Sequence, residues 1–253
     1  MGHVVTDGNR IGYTVEGSGA DVVLIHGITE NSHAWGRIPA ELAHTHRVIQ
    51  VDLRGHGTSD PAGGYGLDDM ADDVASVVDA LGATEPIVVG HSLGGFVATV
   101  YGARHPCRAI VNLDQPLALA AFKDQLTQVE PLLRSDAFEG VILSMFDGFM
   151  AELPDDEQAR LAGLRRPDRE VVLGIWSPVF RLDVAGLDRL VHELIPGVPA
   201  PYLAIHGADP GPEYRAWLAT LIPHATLEVW PGGHYPHLFD RDRLVERVRG
   251  AAA

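Results

Sequence analysis

The sequence predicts an α/β fold built on a doubly wound, mostly parallel sheet. Short runs of aliphatic and β-branched residues alternate with longer segments of helical periodicity, which is typical of parallel strands joined by right-handed helical crossovers. One of the short runs, residues 86–89, passes through a glycine-rich turn directly into a segment that suits a helix. A chain of 253 residues, of which 46% are hydrophobic and 21% charged, is long and apolar enough to bury such a core.

The predicted strands are bounded by glycine, proline and polar residues that indicate turns. The first strand alternates apolar and polar residues, whereas most of the later ones are continuous apolar runs, as strands buried on both faces are. The predicted strands cover residues 10–16, 21–25, 47–53, 86–89, 109–113, 202–206 and 226–230.

Helices are predicted where apolar residues recur every three to four positions. Those between the strands and after the last one cover residues 31–43, 68–81, 92–105, 213–221 and 241–248. From residue 117 to 195 the pattern is helical throughout and is broken only by prolines, so the strand–helix alternation stops there. We therefore expect an α/β core formed by residues 1–116 and 196–253, with a helical cap formed by residues 117–195 over the carboxyl ends of the strands.

Composition excludes several classes of function. Lys and Arg number 19 against 34 Asp and Glu, and the resulting net charge of −15 argues against nucleic acid or an anionic membrane as a partner. Cys107 is the only cysteine, and the 13 histidines show no metal-ligand spacing, so we expect no disulfide, no metal and no cofactor. No apolar run approaches the roughly 20 residues that span a bilayer, and no signal peptide is recognisable, which predicts a cytoplasmic protein. No pattern indicates an oligomeric state.

Residues 90–94 form the motif G-x-S-x-G. In this motif the serine, here Ser92, sits on a strained turn between a strand and a helix, with its hydroxyl above the strand ends. The backbone N–H of Leu93 begins the helix, has no intrahelical acceptor and suits a developing oxyanion. A serine hydroxyl needs a histidine base backed by a carboxylate, and His234 follows the last strand in a glycine loop that suits this role.

The chain contains four motifs at the ends of predicted elements: His26-Gly27-Ile28, residues 52–60, Gly90-His91-Ser92-Leu93-Gly94-Gly95 and Gly232-Gly233-His234. Together they resemble the α/β-hydrolase superfamily, in its capped esterase and lactonase branch, and the resemblance runs over almost all of the chain. It implies Ser92 as the nucleophile, His234 as the base, and an oxyanion hole made by the backbone N–H groups of Ile28 and Leu93. Because the nucleophile is serine rather than aspartate, haloalkane dehalogenase and epoxide hydrolase chemistry is not expected.

The acid departs from the commonest pattern of that family. The family usually places it after the penultimate strand, three residues beyond a glycine, but the residue three positions after Gly207 is Pro210. Asp209 stands one residue early and would need a local bulge to reach the histidine. Asp114, at the end of the preceding strand, stands where dehalogenases and the lactonases that open zearalenone keep their acid. We prefer Asp114, and Asp209 stays the alternative.

The sequence thus predicts a hydrolase that cleaves a small carboxylic ester or lactone through an acyl-enzyme. Other activities of the same residues stay open: carbon–carbon bond hydrolysis, perhydrolysis, acyl transfer, or a receptor that uses the pocket with little turnover. The candidate aromatic residues of an apolar substrate wall are Trp35, Phe146, Phe149, Trp176 and Phe180.

Overall fold

Eight strands form a single sheet in the computed structural model, which describes residues 1–6 and 8–251. The strands are β1 (Gly2–Thr6), β2 (Asn9–Gly17), β3 (Ala20–Ile25), β4 (His46–Val51), β5 (Ile87–His91), β6 (Ala109–Leu113), β7 (Tyr202–His206) and β8 (Thr226–Val229). Their spatial order is β1-β2-β4-β3-β5-β6-β7-β8.

The six strands β3 to β8 are parallel to one another, whereas β1 and β2 form an antiparallel hairpin at the edge, with β2 antiparallel to β4. The carboxyl ends of the parallel strands therefore meet at one edge of the sheet, where open α/β sheets bind their ligands. This architecture confirms the predicted fold class.

Helices pack on both faces of the sheet and continue in a helical segment between β6 and β7. The helices are α1 (Ile38–Leu42), α2 (Leu67–Ala80), α3 (Leu93–Arg104), α4 (Ala120–Leu133), α5 (Phe138–Phe149), α6 (Asp155–Leu164), α7 (Arg169–Arg181), α8 (Val184–Leu194), α9 (Gly211–Leu221), α10 (Pro236–Phe239) and α11 (Arg241–Ala251).

The core consists of apolar clusters on the two faces of the sheet. Successive residues of β3 enter different clusters: Val23 packs with α2 and α3, and Val22 packs with α1 and α11. This division follows from the two-residue period of a strand, and it explains why β3 reads as a continuous apolar run. The helical segment α4 to α8 shares the first cluster, to which it contributes Leu126, Ile142 and Trp176 among others.

The structure differs from the predicted elements near the amino terminus. The helix predicted over residues 31–43 is divided into a 3₁₀ turn (Ser32–Trp35) and α1, because Gly36 between them adopts a φ of +59°. β1 was not predicted, since it is an edge strand ordered by pairing with β2 rather than by an apolar pattern of its own. None of the helices in the described part of the chain has the length and apolar character that crossing a bilayer requires.

Candidate active site

Ser92 occupies the turn between β5 and α3, with a φ of +51° and a ψ of −124°. The turn depends on glycines, because a Cβ built on Gly90 would lie 1.9 Å from the carbonyl oxygen of Gly94. The Ser92 amide donates to the carbonyl of Leu113 on β6 at 2.9 Å, so the hydrogen-bond ladder of the sheet extends to this residue. Leu93 is the first residue of α3, which leaves its N–H without an acceptor inside the helix.

Backbone strain is concentrated at this edge of the sheet. Four non-glycine residues of the described chain have a positive φ, and three of them, Thr29, Ser92 and Asp114, follow the ends of β3, β5 and β6. The fourth is Glu85, which precedes β5. Non-glycine residues in this conformation are costly and cluster where function requires them, so the strain marks this edge independently of any sequence motif.

Asp114 and His234 form a hydrogen-bonded pair. The imidazole Nδ1 lies 2.7 Å from Oδ2 of Asp114, and the other oxygen, Oδ1, accepts the backbone N–H of Gly207 at 2.8 Å. The end of β7 can approach the loop that carries His234 because position 207 is glycine. A Cβ there would lie 1.6 Å from the carbonyl oxygen of Gly233. The carboxylate therefore accepts bonds on both oxygens and holds the histidine by its Nδ1–H, which leaves Nε2 as a proton acceptor.

Burial and hydrogen bonds set the protonation states of this pair. Burial acts to raise the pKa of Asp114, but the contacts with His206, His234 and the Gly207 amide outweigh it and hold that pKa well below the ordinary value. Burial lowers the pKa of His234 below 6.5, although Asp114 opposes this change. At neutral pH the pair is thus a carboxylate and a neutral imidazole, the state in which a histidine can act as a base.

The alternative acid, Asp209, lies outside the site. Its carboxylate is exposed and accepts hydrogen bonds from the Gly211 amide and from Arg215, both at 3.0 Å. The turn that begins α9 thus directs this side chain to solvent rather than towards His234.

A cavity of about 470 Å³ lies above the strand ends and brings most of the predicted site residues together. Ser92, His234 and Asp114 line it, as do Ile28 and Leu93, the predicted oxyanion donors. The opposite wall comes from the helical segment, and it includes three of the five predicted aromatic residues: Phe146, Phe149 and Trp176. The Phe149 ring contacts the imidazole of His234, with the ring centroids 4.8 Å apart and the ring planes tilted by 45°.

The structure corrects the other two predicted wall residues. Trp35 is 1% exposed and packs in the apolar cluster of α1 and α11, against the ring of His237. Phe180 is absent from the cavity lining, and its ring centroid lies 5.3 Å from the guanidinium carbon of Arg134. Neither side chain borders the cavity.

Sequence reasoning missed a set of buried polar residues behind the site. Glu30, Arg165 and Tyr235 are each no more than 3% exposed and are joined by hydrogen bonds. Glu30 stands in the loop after β3 and Tyr235 follows His234, so their positions beside the motifs were the only available signal. Within residues 1–6 and 8–251, no group of three or more His, Cys, Asp or Glu side chains has an arrangement that could hold a metal ion.

Comparison with known proteins agrees with the fold. A family model described as the alpha/beta hydrolase fold matches residues 22–187. A non-heme chloroperoxidase of Streptomyces lividans is 30% identical, over 94% of this chain and 93% of that protein. The solved structure of Est816, an N-acyl homoserine lactone degrading enzyme, is 25% identical, with a TM-score of 0.79 over 98% of this chain and 99% of that one.

A second solved structure, an esterase from Exiguobacterium antarcticum, has a TM-score of 0.80 at 23% identity, covers 98% of this chain and 97% of its own, and supports the fold alone. The family match spans more than half of the chain and agrees with the strand order and the strained serine turn. The chain belongs to the alpha/beta hydrolase fold family.

Proposed function

We propose that this protein is a serine hydrolase that cleaves carboxylic esters or lactones through an acyl-enzyme. The observation that carries the proposal is the hydrogen bond of 2.7 Å between His234 and Asp114 in a cavity that Ser92 also lines. A serine on a strained turn, a neutral histidine and a carboxylate bonded to that histidine are the three groups that nucleophilic acyl transfer requires.

In the proposed mechanism, the Ser92 hydroxyl attacks the carbonyl carbon while Nε2 of His234 takes its proton. The backbone N–H groups of Ile28 and Leu93 stabilise the oxyanion of the tetrahedral intermediate. Collapse of the intermediate breaks the bond to the alcohol, which leaves with the proton held by His234. A water molecule, deprotonated by the same histidine, then attacks the acyl-enzyme. The bond to Ser92 Oγ breaks, His234 returns the proton to that oxygen, and the carboxylic acid is released. Asp114 holds the tautomer and stabilises the imidazolium in both halves.

The cavity favours an uncharged substrate with an apolar chain. Among the described residues that line it, only Asp68 and Asp114 carry a formal charge, and both are acidic. A carboxylate on the substrate would therefore meet no cation there, in a protein whose net charge is −15. The apolar wall supplied by the helical segment suits an acyl or alkyl chain, and we propose that residues 117–195 act as a cap that selects it.

The similarity to Est816 supports the lactone part of this proposal, because that protein degrades N-acyl homoserine lactones. The similarity to a non-heme chloroperoxidase favours a second candidate, perhydrolysis. There, hydrogen peroxide rather than water attacks the acyl-enzyme and yields a peracid.

A panel of uncharged p-nitrophenyl esters and simple lactones tests the first function, with Ser92→Ala as the inactive control. We expect the wild-type protein to hydrolyse members of both series and the variant to hydrolyse neither. The second candidate is tested by peracid formation from a carboxylic acid and hydrogen peroxide. If the wild-type protein turns over no member of the panel, the proposed function is wrong.

A further inference from the structure

A buried polar cluster joins three separate parts of the chain behind the proposed site. Glu30 comes from the loop after β3, Tyr235 from the loop after β8, and Arg165 from the end of α6 in the helical segment. The Tyr235 hydroxyl donates to Oε1 of Glu30 at 2.7 Å and accepts a hydrogen bond from Nη2 of Arg165. These three side chains, named here the Glu30 cluster, are buried to 3% exposure or less.

The Glu30 cluster holds the turn formed by residues 27–30, which contains the predicted oxyanion donor Ile28. From one side, Oε2 of Glu30 accepts the Gly27 amide at 3.2 Å. From the other, Nη1 of Arg165 donates to Oγ1 of Thr29 at 3.1 Å. The Arg166 amide also donates to the Thr29 carbonyl at 3.0 Å, and Thr29 itself has a φ of +67°. A strained turn persists only where its surroundings hold it, and here the helical segment supplies much of that support.

The Glu30 cluster is also connected, through the ring of His91, to the loop that carries His234. Nε2 of His91 lies 2.8 Å from the backbone carbonyl of His234, and its Nδ1 lies 3.6 Å from Oε2 of Glu30. Burial acts to raise the pKa of Glu30, but His91, Arg165 and Tyr235 outweigh it and hold the pKa well below the ordinary value. The cluster is therefore charged at neutral pH. Nη2 of Arg165 and Oε1 of Glu30 form a buried ion pair at 3.6 Å. Such a pair adds little stability over apolar side chains of equal volume, so stability alone does not account for the cluster.

We propose that the Glu30 cluster is a positioning device that docks the helical segment against the 27–30 turn and thereby fixes the Ile28 N–H for the oxyanion. This inference rests on the proposed function, because it concerns an oxyanion donor of the proposed hydrolase. Since an oxyanion donor acts mainly in the transition state, loss of the cluster lowers kcat and leaves KM nearly unchanged.

Tyr235→Phe tests the proposal, because it deletes only the hydroxyl that is hydrogen-bonded to both Glu30 and Arg165. The matched control is Tyr202→Phe, which deletes another buried hydroxyl bonded to two partners, Thr99 at 2.9 Å and Asn112 at 2.8 Å, outside the cluster. We expect kcat to fall at least about tenfold for Tyr235→Phe alone, with KM within about twofold of wild type in both variants. Affinity for a boronic acid analogue of the transition state should fall by the same factor as kcat. Equal kcat values in the two variants overturn the proposal.

Hydrogen exchange supplies a readout that does not depend on activity. Peptides covering residues 26–31 and residues 162–167 should exchange faster in Tyr235→Phe and keep their wild-type rates in Tyr202→Phe. A wild-type protein that turns over no ester and is not labelled by a fluorophosphonate disproves the proposed function, and the exchange rates still decide whether the cluster couples the turn to the helical segment. Unchanged exchange in both peptides of Tyr235→Phe overturns the coupling.

If Tyr235→Phe does not fold, Arg165→Lys replaces it. Lysine keeps the positive charge but lacks the fork that reaches Thr29 and Tyr235 together. The same loss of kcat at constant KM is expected, and a wild-type kcat overturns the proposal.

Discussion

The carboxylate of Asp114 lies 2.7 Å from Nδ1 of His234, although the two residues are 120 positions apart in the chain. Asp114 follows β6, and its amide donates to the carbonyl of Ile205 on β7 at 2.7 Å. The ladder of the sheet thus fixes the backbone on which the acid stands. Just beyond β7, the Gly207 amide donates to the second carboxylate oxygen at 2.8 Å.

This relationship predicts that Asp114→Asn costs about four powers of ten in kcat, because the amide favours the wrong imidazole tautomer and cannot stabilise the imidazolium. Asp209→Asn is the matched control, since its exposed carboxylate bonds Gly211 and Arg215 on its own turn and helix. We expect the control to stay within about twofold of wild type, as surface changes away from the site do. Steady-state kinetics measure both, and circular dichroism checks folding. A large loss of kcat in Asp209→Asn instead would identify Asp209 as the acid.

The nucleophile is tested by covalent labelling. A fluorophosphonate should modify Ser92 stoichiometrically, since an activated serine hydroxyl attacks phosphorus as it attacks a carbonyl. Ser92→Ala should abolish labelling and His234→Ala should slow it by orders of magnitude, whereas Ser144→Ala, at an exposed serine of α5, should leave it unchanged. Peptide mass spectrometry identifies the modified residue, and a label on another serine would contradict the assignment.

The sequence predicted those parts of the site that lie in local patterns. The glycines around Ser92 and those before His234 mark turns that the structure contains, and Asp114 could be proposed because it ends a recognisable strand. The residues of the cavity wall were harder to predict, because an aromatic residue of an amphipathic helix can pack in a core or line a cavity. Trp176 and Phe180 lie on one helix, yet only Trp176 borders the cavity.

The buried cluster lay beyond such reasoning. Tyr235 and Glu30 are hydrogen-bonded across 205 positions of sequence, and no periodicity connects them. Arg165 stands between α6 and α7, where an arginine is ordinarily expected to be exposed to solvent. Its burial depends on the way the helical segment packs against the strand ends, which is a property of the tertiary structure alone.

Cavity shape should govern selectivity through Trp176. Trp176→Leu removes an indole from the wall, so it should raise kcat/KM for bulky acyl esters relative to acetyl esters by about tenfold, the range that small changes in an apolar pocket produce. Phe180→Leu, on the same helix but off the cavity, is the control and should leave the ratio unchanged. Both variants should lower Tm, since each removes packed aromatic surface. A ratio that moves equally in the two variants would show that helix stability, rather than the wall, sets selectivity.

His56 should make the folded protein less stable in acid. Burial, with a smaller contribution from the nearby His26, lowers the pKa of His56 from 6.5 to about 4. In the unfolded chain His56 binds a proton as the pH falls below 6.5, whereas in the folded state it stays neutral down to about pH 4. This residue therefore lowers the free energy of unfolding as the pH falls from 6.5 to 4. The full loss is about 3 kcal/mol for a shift of this size.

The carboxylates of Glu30 and Asp114 act in the same direction, but only near and below their ordinary pKa values, so the histidines dominate the decline above about pH 5. Urea unfolding at pH 7.5 and pH 5 measures that decline. His56→Gln should flatten it by about 2 kcal/mol, the share that a pKa of 4 predicts over this interval. His3→Gln replaces an exposed histidine of β1 and should leave the slope as in wild type. The quantity to compare is the change in the free energy of unfolding between the two pH values. Replacing His56 also removes its hydrogen bond to the Arg54 carbonyl, but that loss is present at both pH values. If His56→Gln declines as steeply as wild type, the acid lability of this protein arises elsewhere.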